Sequence, residues 1–205
     1  MIWIGVTGGI GSGKSLVCSE FARLNIPIFF ADDVAKEIAD NDDSVRSAIR
    51  LEFGDDLYDS DNALKRKELA SRVFGHPDRV NTLNSIIHPV VFQNFSDWKN
   101  TTEPSATSPY GIVEAALMFE SGFHEMMDYI LLVEAETQAR IQRVMKRDNV
   151  TESSVRLRIE SQASPEILRE LSDFILQNSG STAAVTGKVQ FFHMLFKNLK
   201  KREEI

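Results

Sequence analysis

The stretch GVTGGIGSGKSL, residues 5–16, puts Gly8, Gly13, Lys14 and Ser15 at the spacing of a phosphate-binding loop. That spacing has a physical cause. To wrap a phosphate, successive backbone N–H groups must point inward, and any side chain larger than hydrogen blocks the approach. Gly8, Gly9, Gly11, Ser12 and Gly13 supply such a backbone. A helix that starts where the loop ends adds its own N–H groups and the positive end of its dipole. Lys14 has the reach to meet β- and γ-phosphates, and the Ser15 hydroxyl is a candidate ligand for Mg2+.

Other polar residues gain meaning from this loop. Asp32 follows an apolar run and is a candidate to orient and deprotonate a hydroxyl that accepts a phosphoryl group. It serves equally well as a helix N-cap, and Asp33 competes for either role. Glu114, at the end of another apolar run, could hold Mg2+ through water. Arg140, Arg143 and Arg147, at i, i+3 and i+7, share a helix face; Arg156 and Arg158 follow. Such arginines suit a solvated face or a lid over phosphates, with Arg147 favoured for the lid. His88 precedes Pro89 and on spacing alone simply stands before a helix, as does His76 before Pro77. No histidine or cysteine cluster has zinc-ligand spacing.

These residues need elements to position them. IWIGV (2–6), IPIFF (26–30), YGIVEAAL (110–117), YILLVEA (129–135) and DFIL (173–176) read as buried strands. Helical patterning separates them, which predicts a parallel sheet flanked by helices. Residues 42–100 break the alternation with helices expected over 45–53, 65–74, 78–87 and 90–99, followed by a surface loop over 101–109. The expected organisation is a nucleotide-binding core of residues 1–41 and 110–205, a lid at about 147–171 within it, and a helical lobe over 42–109. Val185, Val189, Phe192, Phe196 and Leu199 form the stripe of a docked final helix, and KKREEI reads as a solvated tail.

Bulk properties bound the function. The chain has 205 residues, 42% of them hydrophobic, with a formal net charge of −7. The negative balance argues against a non-specific grip on nucleic acid or anionic membrane. No apolar run approaches the ~20 residues that span a bilayer. One cysteine, Cys18, cannot build a disulfide framework. The first strand begins at once, leaving no room for a signal peptide, so a cytoplasmic protein is expected. No motif bears on oligomeric state.

The ordered set of motifs resembles the dephospho-CoA kinase family, P-loop kinases of the nucleoside-monophosphate-kinase type. The resemblance runs through GVTGGIGSGKS, ADDVAKEI, LKRKELASRVF, IIHPVV, EAALMFESG, RIQRVMKRDNVTE, RIESQAS and SDFILQNSGS. It implies a P-loop NTPase fold and transfer of the ATP γ-phosphoryl to the 3′-hydroxyl of dephospho-CoA. It also implies that Asp32 faces that hydroxyl, Arg147 is the lid arginine and Asn178 lies near adenine. Leu16 falls in the nucleotide site where threonine is usual, and residues 42–109 become the CoA-binding lobe with Arg66 and His88 on the substrate side. Phe30, Lys65 and Ala116 also depart from the family pattern. Two rivals remain: another small-molecule kinase of this fold, and a nucleotide-dependent switch. The Asn-Lys-x-Asp motif that reads guanine in switch GTPases is absent.

Overall fold

The computed structural model describes residues 1–73 and 75–201. Phe74, the expected end of the helix over 65–74, and residues 202–205 of the tail lie outside the described residues. The described chain divides into two compact units, residues 1–30 with 102–201, and residues 31–101.

The first unit is built on five strands: β1 (Ile2–Thr7), β2 (Ile28–Phe30), β3 (Tyr110–Glu114), β4 (Tyr129–Glu134) and β5 (Phe174–Gln177). All pairings are parallel, in the order β2-β3-β1-β4-β5. Every residue of β1 and β3 is buried, which is why these runs carry no polar alternation. β2 starts two residues later than its apolar run. Pro27 has no N–H to give, and the Ile26 N–H turns back to the Phe21 carbonyl at 3.3 Å. β3 stops at Glu114, level with Val6 and Phe30 in the ladder.

Helices α1 (Lys14–Arg23), α6 (Thr137–Asp148), α7 (Glu152–Glu160), α8 (Pro165–Glu170) and α9 (Thr182–Phe196) complete this unit. The expected stripe docks α9. Val185, Val189, Phe192 and Phe196 are buried in the main core with Phe21, Tyr110 and Leu176, and Leu199 packs against it from beyond the helix end. The Tyr110 hydroxyl lies 2.8 Å from His193 Nδ1, so the one polar end of a buried ring is satisfied.

The second unit is helical: α2 (Ala31–Asn41), α3 (Asp43–Phe53), α4 (Arg66–Val73) and α5 (Pro77–Thr102). The two helices expected on either side of His88 and Pro89 are one helix of 26 residues. Proline removes one i→i−4 bond, but the turns on both sides keep theirs and Val91 and Phe95 are buried just beyond it. His88 is therefore inside a helix rather than before one. His76 does precede it, its carbonyl accepting from the Arg79 and Val80 N–H groups at 3.0 and 3.1 Å. α5 also runs on to Thr102, where a surface loop was expected, and a short 3-10 turn follows over Glu103–Ser105.

Candidate active site

The loop between β1 and α1 is held by conformations that side chains resist. Gly8 and Gly13 have φ of +148° and +97°. A Cβ on Gly8 would collide with the Val133 carbonyl of β4, and one on Gly13 with the Asn178 side-chain amide. Gly13 is also the N-cap of α1 and offers no side chain to its first turn. By contrast α3 and α9 are capped by the side chains of Asp42 and Ser181. An uncapped helix start wrapped by glycine is a site for an anion.

Lys14 is buried. Its Nζ donates to the Gly8 carbonyl at 2.9 Å and stands 3.8 Å from the Glu114 carboxylate, itself buried at the end of β3. The ammonium thus lies across the mouth of the loop, fixed from both ends. Ser15 is exposed in the first turn of α1 and Leu16 packs against the main core. Ser12 is 1% exposed and its Oγ has no hydrogen-bond partner, nor has the buried Oγ1 of Thr7. Buried hydroxyls without partners are costly, and the Ser12 Oγ lies inside the glycine turn, 2.9 Å from where a Cβ on Gly8 would stand.

A ring of side chains braces the loop from the β4–β5 side. Asn178, buried just past β5, donates from Nδ2 to the Ser12 carbonyl at 2.7 Å. Arg143 reaches the carbonyls of Gly11, Ser12 and Asn178, each at 3.3 Å. Arg140, 8% exposed, donates from Nε to the Ile10 carbonyl at 2.9 Å. Burial lowers the Arg140 pKa and the charge of Glu134 partly offsets this. Gln162, after α7, accepts the Ile10 N–H at 2.7 Å. Arg140 and Arg143 were undecided on sequence alone, and Gln162 was not singled out. The available signal was the position of both arginines early in the helix after β4, next to β1 in the sheet. A cavity of about 440 Å3 opens behind this brace, lined by Gly9, Ser12, Arg140, Gln162 and Arg169. Lys14, Ser15 and Glu114 do not line it.

Arg147 sits in the last turn of α6 and binds the neighbouring Asp148 at 2.6 and 3.0 Å. Asp148 also receives Arg158 at 3.0 Å. The hydrogen bond from Arg147, then that from Arg158, holds the Asp148 carboxyl below its usual range. Both arginines are partly exposed and anchored by a single carboxylate.

Four candidate residues lie in the helical unit. Asp32 is the second residue of α2, within its first turn. Asp33 is exposed and engaged by Lys36 at 2.7 Å. Arg66 is paired with Asp40 at 2.6 Å and donates to the Lys36 carbonyl at 3.0 Å. Burial works to raise the Asp40 pKa, but the bonds from Arg66 and the Leu64 N–H keep it low. His88 is half-buried, stacks on Phe92 at 6.1 Å, and has its pKa lowered by desolvation.

Among the described residues no cluster of three acidic, histidine or cysteine side chains forms a metal cage. The Ser15 hydroxyl and the Glu114 carboxylate are oxygen donors of the kind Mg2+ takes, too few to hold it without phosphate oxygens. They fit an ion that arrives with a nucleotide. No helix among the described residues is long and apolar enough to cross a membrane.

Comparison with known proteins identifies the family and the fold. A family model described as dephospho-CoA kinase matches residues 2–184. A dephospho-CoA kinase of Salinibacter ruber is 41% identical over 88% of this chain and 90% of its own length. One from Salmonella typhimurium is 31% identical over 96% and 93%. Among solved structures, a protein of Thermus thermophilus superposes with a TM-score of 0.79 at 27% identity, covering 97% of this chain and 98% of its own. A dephospho-CoA kinase of Campylobacter jejuni shares the fold with a TM-score of 0.70 at 23% identity, over 95% and 96%.

Proposed function

The chain belongs to the dephospho-CoA kinase family, and from that premise we propose how its residues divide the reaction among them. The enzyme is an ATP-dependent phosphotransferase that phosphorylates the 3′-hydroxyl of dephospho-CoA, the last step of coenzyme A synthesis. The observation that carries the reading is the glycine-wrapped, uncapped start of α1 with a buried Lys14 across it and the orphaned Ser12 hydroxyl inside it.

In the proposed division, the loop amides from Gly8 to Ser15 and the Lys14 ammonium hold the ATP phosphates. Leu16 and Asn178 complete the nucleotide site. Ser15, and Glu114 through water, would hold Mg2+. When bound, that ion neutralises charge on the phosphate oxygens. Asp32 orients the attacking hydroxyl and accepts its proton. Support for Asp32 comes from its place two residues after β2 and its position in the family motif. Arg147 is the lid arginine that meets the transferring phosphoryl group, within a lid over residues 147–171. Lid closure excludes water, which would otherwise compete as acceptor. Residues 42–109 are proposed as the lobe for the CoA moiety, with Arg66 and His88 on the substrate side. A cytoplasmic location is proposed on the same basis as the family.

The deciding experiment measures ADP release with Mg2+-ATP and dephospho-CoA beside AMP, CMP, dTMP and nucleosides. Turnover confined to dephospho-CoA is expected. Equal or better turnover with a nucleotide acceptor would replace the proposed substrate, and a preference for GTP without any acceptor would favour a switch.

A further inference from the structure

We propose that Gln162 is a positioning residue for the ATP site, fixing one peptide plane of the phosphate loop and tying it to the lid. Ile10 stands at the crest of the loop and is held at three points by residues 140–162. Its N–H donates to Gln162 Oε1 at 2.7 Å, its carbonyl accepts from Arg140 Nε at 2.9 Å, and its side chain packs on Ile141, Val144 and Val155. An amide N–H only donates, so the oxygen end of the Gln162 side chain must face it.

The consequence passes through the rigid Gly9–Ile10 peptide. Its N–H and C=O are on opposite edges of one plane. Gln162 fixes the N–H edge, and the Gly9 carbonyl on the other edge accepts the Ser12 N–H at 3.0 Å. Ser12 carries the buried hydroxyl without a partner. One side chain on the segment after α7 therefore sets the turn that presents Ser12 to the cradle. If that segment lifts, the peptide plane is released and the cradle loses its shape. The Gln162 bond thereby couples lid position to phosphate affinity.

The inference rests on reading the loop as the ATP site, and the test separates the two. Gln162→Leu and Gln162→Met keep the bulk and remove the acceptor. ATP dissociation constants are measured by titration calorimetry on wild type and both variants, beside kcat, both KM values and Tm. Expected is a rise of about tenfold in the ATP dissociation constant and ATP KM in both variants. The KM for dephospho-CoA should stay at its wild-type value, with only the small fall in Tm that one unpaired N–H brings. Unchanged ATP binding in both variants overturns the proposal, as does a parallel rise in both KM values with a much lower Tm, which marks a merely structural contact. A wild-type chain that binds no ATP overturns the reading of the loop itself, and this inference with it.

Discussion

Replacing Gly13 with alanine tests the brace around the loop directly. Gly13 holds φ +97°, a left-handed conformation that costs an L-residue about 1–2 kcal/mol. The new Cβ would land on Nδ2 of Asn178. Asn178 is 3% exposed and cannot retreat without giving up its 2.7 Å bond to the Ser12 carbonyl. That carbonyl would keep only the 3.3 Å contact from Arg143, and a buried amide would be left unpaired, at a further ~1–3 kcal/mol. Together Gly13→Ala should cost about 2–5 kcal/mol. The second contribution is shared with Asn178→Ala, which removes the same hydrogen bond. The double variant should therefore be less damaged than the sum of the singles, by about 1–3 kcal/mol. Urea unfolding of the four proteins at a common m value measures this, with ATP binding followed in parallel. If the two changes add to within about 0.5 kcal/mol, the contact between Gly13 and Asn178 does not restrain the loop and the argument fails.

Further outcomes follow from the same geometry. Asp32→Asn should lower kcat by about a hundredfold or more while ATP affinity is kept, and normal turnover would remove Asp32 from its role. Arg140→Met should destabilise the fold by about 2 kcal/mol in urea unfolding, because a buried charged donor leaves the Ile10 carbonyl. Arg147→Met should leave Tm nearly unchanged and reduce kcat, since its ion pair is an exposed one. Both His88 and His193 have folded-state pKa values lowered by burial, with the Lys197 charge adding to the effect at His193. The folded state thus favours neutral rings, and stability should fall as pH drops through the ordinary histidine value of about 6.5, where the unfolded chain takes up protons. His193→Gln should flatten that acid limb in Tm measured between neutral and mildly acidic pH.

What the sequence made legible, and what it hid, follows from how far each signal reaches along the chain. β1 and β3 were readable because strands buried on both faces must be apolar throughout. The phosphate loop was readable because its chemistry is contiguous. The merger of two expected helices into α5 was not, because a proline is a local signal and the packing of Val91 and Phe95 that outweighs it is not. The arginines make the sharpest case. Arg140, Arg143 and Arg147 share one face, and although the sequence favours Arg147 for a lid it leaves Arg140 and Arg143 without a role. Their role comes from the sheet. β4 lies beside β1 in parallel, with Thr7 level with Leu132, so the helix after β4 starts next to the phosphate loop. At 1.5 Å per residue, Arg147 has travelled about 10 Å along the helix axis from Arg140. Arg140 and Arg143 therefore meet the loop carbonyls, whereas Arg147 has run past them to Asp148. A residue that holds the loop and the residue proposed for the lid are thus set apart by about two turns of one helix. That separation is why the proposed roles of Arg140 and Arg147 predict opposite effects on stability and turnover.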